Sequence, residues 1–422
     1  MDKRSFLRTA FGASLGLTLG NTKALFARHA STPPADLAKD EAFWAGVRAK
    51  YRLKPDYINL ENGYYCMQPQ EVLEAFVEKV REVNTEASYY MRTRQVDDKL
   101  AARKRLAAIL GCSHEELIIT RNTTESLDTV IAGFDWKAGD EAVMAAQDYG
   151  AMLDMFALQA RRHGMVNRIV SLPIDPRSDK EIVQLYASAI APKTRLLMVS
   201  HMVNITGQIL PVTKIADMAH RRGVDVLVDG AHAFAHFDFR LGDLHCDYYG
   251  TSLHKWLGAN LGAGALFVRA DKIERLWPIY ADARMADTDI GKLNHTGTHP
   301  VHTDLAIMNA IDFHESIGIG RKEARLRYLQ NYWTSRVRPI PKIVLNTPSD
   351  PRRSCAIANV GVGGLEPGDL ARTLLEKYRI WTVAIDTANV RGVRITPHLF
   401  TTTAELDALV GALRELAAPG AA

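Results

Sequence analysis

Cysteine is scarce in this chain and nowhere clustered: Cys66, Cys112, Cys246 and Cys355 are the only four, and no C-x-x-C spacing occurs. That pattern argues against a zinc knuckle, a dithiol redox motif and a disulfide framework, and leaves isolated thiols suited to the interior. Blocks of like charge are also missing. The 52 basic and 48 acidic residues are dispersed to a net +4, so neither a nucleic-acid groove nor a polybasic membrane patch is indicated. No apolar run approaches the roughly 20 residues that span a bilayer, and no internal repeat or low-complexity tract occurs. What is there is 422 residues at 47% hydrophobic, enough for a large core divided into two or three domains. The expected partner is a small molecule, with no nucleic acid and no stable membrane anchor.

The first 30 residues stand apart. Lys3, Arg4 and Arg8 precede a mildly apolar stretch, Phe11–Gly20, and small residues before Pro33-Pro34, the layout of a secretory signal. The run Asp2-Lys3-Arg4-Ser5-Phe6-Leu7 is similar to a twin-arginine export motif with lysine at its first arginine. We therefore expect a twin-arginine-type signal peptide over residues 1–30, cut after Ala27 or Ala30, with export by the twin-arginine machinery to the periplasm. An ordinary N-terminal helix on a cytoplasmic protein is the alternative.

From about residue 100, helical periodicity alternates with short apolar β-rich runs, which predicts a parallel sheet with crossover helices. Strands are expected at Leu117–Thr120, Glu141–Ala146, Arg168–Leu172, Leu196–Ser200, Val224–Val228 and Ala265–Arg269. A helix over Leu100–Leu110 stops at Gly111, and another has Thr213 as N-cap, Ile215, Ala216 and Ala219 facing inward, and Gly223 as terminator. After a less regular stretch over residues 281–304, strands at Lys342–Leu345, Ala356–Val362 and Val393–Ile395 and helices at Pro367–Tyr378 and Ala404–Leu416 describe a smaller α/β domain.

Three polar segments fall at strand ends, where open α/β sheets bind ligands. Asn122-Thr123-Thr124-Glu125 opens a helix and could cradle a phosphate, or simply cap it. The apolar run Val224–Val228 ends in Asp229-Gly230-Ala231-His232. A carboxylate there could keep a pyridine nitrogen protonated, or start an Asp-Gly turn. Tyr249-Gly250-Thr251-Ser252-Leu253-His254-Lys255-Trp256-Leu257-Gly258 carries a lysine among apolar neighbours, unusual for a solvated side chain. Enclosure would favour the neutral amine that imine formation needs.

Asp229-Gly230-Ala231-His232 followed by Ser252-Leu253-His254-Lys255 resembles the class V aminotransferase family, fold type I of the pyridoxal 5′-phosphate (PLP) enzymes. Gln147-Asp148-Tyr149-Gly150-Ala151, Val199-Ser200-His201, Thr206-Gly207-Gln208-Ile209-Leu210-Pro211 and Thr296-Gly297-Thr298 are similar to its isopenicillin N epimerase-like branch. The resemblance implies an α/β fold, a large domain with a mostly parallel seven-stranded-type sheet plus a smaller C-terminal α/β domain. The expected division is an N-terminal segment over 31–70, a large PLP-binding domain over 71–300, and a linking helix with the small domain over 301–422. It makes Lys255 the catalytic Schiff-base lysine, Asp229 the pyridinium partner and His232 a donor to the phenolic oxygen. Tyr149 would stack on the ring. Thr123, Thr124, Ser252 and His254 would hold the phosphate, with Thr298 supplied by the neighbouring subunit of a homodimer with shared sites. Arg394 would clamp the substrate carboxylate through a two-point contact, and Asn62 and Tyr64, flanking Gly63, would form the substrate lip.

The implied function is a PLP-dependent enzyme, epimerase- or aminotransferase-like, acting on an α-amino acid or amino-acid-derived substrate. Epimerisation would need a second proton carrier, for which Tyr64, His201 or a partner tyrosine could serve. Cysteine desulfurases of this family use a cysteine shortly before the substrate arginine, and Tyr378–Val393 has none. Export keeps open a periplasmic tailoring or C–S lyase-type enzyme on a peptide or siderophore precursor. The fourteen histidines, including His232 with His236 and the group His295, His299 and His302, raise a metal-dependent hydrolase as another class. Their spacing lacks the helical H-E-x-x-H pattern, and no metal ligand is assigned. A non-catalytic binding protein of the same fold is a third possibility, at odds with the presence of both Lys255 and Asp229.

Overall fold

The computed structural model describes residues 26, 28–281 and 284–418, so the export-type run Asp2–Leu7 and the stretch Phe11–Gly20 lie outside the described residues. The strands in chain order are β1 (Ile58–Asn59), β2 (Leu117–Thr120), β3 (Glu141–Ala145), β4 (Val166–Val170), β5 (Thr194–Ser200), β6 (Asp225–Asp229), β7 (Tyr248–Ser252), β8 (Gly264–Val268), β9 (Ile343–Leu345), β10 (Ala358–Val362), β11 (Ile380–Trp381), β12 (Val383–Thr387) and β13 (Val390–Ile395). Seven of them form the central sheet in the order β2-β8-β7-β6-β5-β3-β4. β8 runs antiparallel to both of its neighbours, while β4, β3, β5, β6 and β7 pair in parallel.

Strands of a parallel sheet covered on both faces must be apolar on both faces, and these are. Along β5 and β6, Leu197, Val199, Val226 and Val228 enter one core, and Leu196, Met198 and Leu227 enter the core on the other side. A four-stranded antiparallel sheet, β12-β13-β10-β9, follows toward the C-terminus. Its inner face packs Val360, Val393 and Ile395 against Leu329 and Trp333 of the helix Ile319–Val337 and Leu406, Leu409 and Leu413 of the helix Thr403–Leu416. The N-terminal segment joins this half: β1 pairs in parallel with β11, and Glu61 bridges to Thr396. Among the described residues no helix is long and apolar enough to cross a membrane.

Several expectations shift. β4 begins at Val166 where the reading began at Arg168. It is an edge strand whose exposed face weakens the apolar signal. β7 was not foreseen, because Tyr-Tyr-Gly-Thr-Ser is buried yet scarcely hydrophobic. Thr213 does not cap its helix. Pro211 holds that position, and the Thr213 hydroxyl donates to the Asp243 carbonyl at 2.7 Å. That helix ends at His220, and Gly223 at φ +71° turns the chain into β6. The helix Leu100–Leu110 starts earlier, at Gln95, and does stop at Gly111 in the left-handed conformation.

The loop carrying Thr206-Gly207-Gln208 latches the two sheets together. Thr347 Oγ1 donates to the Thr206 carbonyl at 2.7 Å, and Ile209 N–H to the Arg353 carbonyl at 2.8 Å. Gly207 combines φ +75° with a backbone contact so close that a Cβ would lie 1.8 Å from the Ile357 carbonyl oxygen. Gly207→Ala should therefore destabilise the chain by at least about 2 kcal/mol, from left-handed strain plus a clash that only backbone movement relieves. Gly223→Ala, with the same sign of φ but no atom within 4 Å, should cost about 1 kcal/mol. Urea unfolding of the pair checks the difference.

Candidate active site

A cavity of about 270 Å³ opens where the strand ends meet the small sheet, near the lower end of the roughly 300–1,000 Å³ of small-molecule sites. Its wall includes Thr123 and Thr124 beyond β2, Tyr149 beyond β3, Ser200 at the end of β5, Asp229 at the end of β6 with His232 following, Ser252 at the end of β7 with His254 and Lys255 following, and Arg394 from β13. Gly63 and Tyr64 of the N-terminal lip complete it. The sequence-predicted cofactor- and substrate-binding residues thus converge, apart from two. Asn62 lies buried beneath the lip, where its amide donates to the Thr396 carbonyl at 2.7 Å. Thr298 is exposed on the surface and does not line this chain's cavity.

Missing side chains bring these elements close. A Cβ on Gly264 would meet the Asn122 backbone at 2.6 Å, and one on Gly250 would meet Leu127 at 2.8 Å. These two glycines let the helix Thr123–Gly133 seat its first turn against β7 and β8. Asn122, not a threonine, caps that helix, accepting from Glu125 N–H at 2.9 Å. Thr123 instead faces Ser252, with both its N–H and its hydroxyl bonded to Ser252 Oγ at 2.9 and 2.7 Å. Gly230 follows Asp229 because the Tyr249 ring fills the space of a side chain, 2.0 Å from where a Cβ would be.

Lys255 is the electrostatic centre. Burial pushes its amine down to about 8, with Arg394 adding to the effect and Asp229 and Glu61 opposing it. Its Nζ lies 3.0 Å from His232 Nε2, and the other ring nitrogen, Nδ1, accepts from the Trp256 indole N–H at 3.4 Å. Burial first, and the Lys255 charge second, hold His232 far below its ordinary value. A neutral imidazole that accepts at Nδ1 carries its proton on Nε2, so His232 donates to the lone pair of a neutral Lys255. Asp229 is raised by burial, against the Ala231 N–H that donates to it at 2.9 Å and the Lys255 charge. Behind it, Asp148 accepts from Ser200 Oγ and Ala145 N–H, both at 2.7 Å, and burial pushes it up to about 7. His254 falls to about 4 through burial and the Lys255 charge, and its Nδ1 is buried without a hydrogen-bond partner.

His201 is not in the cavity. Its ring sits edge-on between Phe237 and Phe239, 5.1 and 4.7 Å from their centroids, and burial pushes it down to about 3. The next position along the strand end faces the opposite side from Ser200, which removes His201 as a proton carrier. Two of the other histidines considered as metal ligands are engaged elsewhere: His236 stacks on Trp256 at 3.5 Å, and His299 meets Asp304 at 3.3 Å. Among the described residues, no group of three or more His, Cys, Asp or Glu could hold a metal ion. Residues absent from the sequence reading also line the wall, among them Met152, Asn204 and Leu261. Glu61 was missed as well, and it pairs with Arg394 at 2.6 Å. Its only sequence signal was its place in the lip segment.

The Aminotransferase class-V family description matches residues 61–389. The chain is 32% identical over 393 residues to the isopenicillin N epimerase of Amycolatopsis lactamdurans, covering 88% of this chain and 98% of that one. It is 26% identical to a probable cysteine desulfurase of Halalkalibacterium halodurans, over 75% of this chain and 80% of that protein. In fold it is similar to the cysteine desulfurase of Thermococcus onnurineus, with a TM-score of 0.77 at 21% identity, covering 88% of this chain and 98% of the other. A C-DES mutant with glycine covalently linked to its PLP cofactor aligns with a TM-score of 0.78 at 22% identity, over 87% and 99% of the two chains. The chain belongs to the class V aminotransferase family and is a PLP-dependent enzyme of fold type I.

Proposed function

We propose that PLP is anchored by Lys255 in this cavity and that the enzyme acts on an α-amino acid or an amino-acid-derived substrate, in an epimerase- or aminotransferase-like reaction. The observation that carries the reading is the half-buried Lys255, its amine pushed down to about 8 by desolvation and facing Asp229 and His232 across the ends of neighbouring parallel strands. The residues present fit the cofactor. A buried carboxylate suits a pyridinium nitrogen, the Thr123 and Ser252 hydroxyls at a helix N-terminus suit a phosphate, and the unpartnered Nδ1 of His254 has room for a further bond. When bound, PLP supplies an electron sink for negative charge at the substrate α-carbon.

The chain's own groups do the rest. Asp229 holds a proton on the ring nitrogen, His232 donates from Nε2, and Tyr149 covers the ring at the mouth. Lys255, as a neutral amine, takes and returns the α-proton. Arg394 orients the substrate carboxylate. An epimerase needs a second proton carrier, and Tyr64, 75% exposed on the lip, or a partner tyrosine remains for that role. A persulfide-forming desulfurase would need a thiol in the cavity. None of the four cysteines lines it, and Cys66 sits against His398 at 3.2 Å with burial pushing its thiol up to about 12. The exposed Thr298 supports a homodimer in which each protomer lends this hydroxyl to its partner's phosphate site. We carry the export signal over residues 1–30, a periplasmic location and the domain division as part of the same proposal.

Lys255→Ala should lower turnover by at least about 10²–10⁴-fold through loss of the proton carrier alone, and it should lose the borohydride-sensitive yellow colour. Asp229→Asn should retain cofactor with greatly reduced turnover. The pH sense follows from the direction of the lysine shift: with its amine lowered from 10.5 to about 8, the neutral fraction rises as pH climbs through 8. Cofactor-free protein should therefore take up PLP faster at pH 9 than at pH 7. Uptake independent of pH over that range would contradict the assignment.

Thr298→Ala should weaken PLP retention. In dimers mixed from Lys255→Ala and Thr298→Ala protomers, one site carries both lesions and the other neither, so cofactor should bind at half the sites with wild-type affinity. Proven heterodimers without such a site would refute sharing. Arg394→Lys keeps the charge but loses the planar fork, which should cost roughly 1.5–3 kcal/mol, on the order of 10- to 150-fold in kcat/KM. The loss should be larger for a carboxylate substrate than for its amide, and equal losses would make Arg394 structural.

A further inference from the structure

Arg394 already holds a carboxylate. Its Nε donates to Glu61 Oε2 at 3.1 Å and its Nη2 to Oε1 at 2.6 Å, the two-point geometry a guanidinium offers to any carboxylate. Nη1 donates to the Asn204 carbonyl at 3.3 Å. Both side chains are withdrawn from solvent, at 8% and 7% exposure. Gly63 lies close over the pair, since a Cβ there would sit 3.3 Å from Arg394 Cζ. Glu61 is therefore placed as a substrate carboxylate would be, but it comes from the lip.

The lip does not depend on this ion pair for its position. Asn62 Nδ2 bonds the Thr396 carbonyl at 2.7 Å, Gly63 N–H bonds Thr396 Oγ1 at 3.1 Å, and Cys66 N–H bonds the His254 carbonyl at 3.1 Å. Glu61 itself bridges to Thr396 through its backbone. Its carboxylate can leave while its main chain stays. Oε1 also accepts from Tyr64 N–H at 3.0 Å, a bond that the displaced side chain can keep at the mouth.

We propose that Glu61 is an internal stand-in for the substrate carboxylate, paired with Arg394 while the site is empty and displaced when a substrate carboxylate docks. The proposal rests on the reading of Arg394 as the carboxylate clamp. The stand-in spares the site a buried unpaired guanidinium, which would be costly. It also imposes selection: only a ligand with its own carboxylate can replace Glu61, whereas an amine or amide must enter with the pair still closed. The apparent carboxylate affinity is then the intrinsic affinity multiplied by the fraction of time the pair is open.

The test is an NMR titration of the purified holoenzyme with propionate and propionamide, comparing wild type, Glu61→Gln and Arg394→Lys. Glu61→Gln should bind propionate about 5- to 20-fold more tightly than wild type, as expected if the pair is closed most of the time, with propionamide unchanged. In Glu61→Ala, propionate should raise the melting temperature more than it does in wild type, and propionamide should not. If Arg394→Lys abolishes propionate binding while Glu61→Gln leaves it unchanged or weaker, the clamp stands and the stand-in is overturned. A Glu61→Ala protein that propionate fails to stabilise overturns it as well. If propionate binding ignores Arg394 altogether, the carboxylate reading falls, and the stand-in with it.

Discussion

Keeping a lysine amine inside the protein is the constraint from which the surrounding architecture follows. A buried ammonium is costly unless it is paired, and the cost can be met by giving up the proton. Here that outcome requires a neighbour able to donate to the free lone pair, which His232 does only while its Nδ1 is occupied by Trp256. Trp256 is in turn fixed on all sides. His236 stacks on it at 3.5 Å, His398 lies 5.6 Å away, and Lys322 donates to its carbonyl. His236 accepts from Ala356 N–H at 3.0 Å, just ahead of β10. The proton state of one amine is thus tied, through a run of packed rings, to the seating of the small sheet on the large one.

The same contacts explain why the site lies at a junction. Parallel strands deliver their C-terminal ends to one edge, and β2, β3, β5, β6 and β7 each contribute a polar side chain there. None of them brings a guanidinium into the cavity except through Arg121, which is committed to Glu125 at 3.0 Å. The cation has to come from β13, so the four-stranded sheet must dock before the site is complete. Gly207 is where that closeness leaves no room for a Cβ, against the Ile357 carbonyl just ahead of β10.

Much of this was legible in the sequence because it is local. An apolar strand followed at once by Asp229 announces a polar group at a sheet edge, a lysine flanked by Leu253, Trp256 and Leu257 announces an enclosed amine at Lys255, and glycine punctuation gave the helix ends at Gly111 and near Gly223. What failed was whatever depends on distant partners. β7 escaped because its burial comes from the strands on either side rather than from its own composition. Thr213 was read as a cap because the Asp243 carbonyl that takes its hydroxyl lies 30 residues away. His201 was admitted as a proton carrier because nothing in a single strand end says which side of the sheet it faces. Glu61 lay in plain view within the lip segment, yet only the pairing of β1 with β11 and of Glu61 with Thr396 brings it to Arg394.

Charge accounting gives the arrangement its remaining logic. Within one chain, the groups proposed for the phosphate are neutral donors: the Thr123 and Ser252 hydroxyls, a helix N-terminus and a His254 that burial and the Lys255 charge keep unprotonated near neutral pH. Oriented dipoles of this kind stabilise an anion without burying a counter-charge, which leaves the positive potential around Lys255 to Arg394 alone. Arg394 depresses the lysine and Glu61 raises it. Under the proposed exchange, one carboxylate replaces another on the same guanidinium, so the field at the amine stays nearly constant while the reacting group arrives. An arginine left bare between turnovers would lower the Lys255 amine further when the site is empty and release it when substrate binds, the reverse of what a neutral base needs. Pairing Arg394 at both stages keeps the amine in the same state throughout.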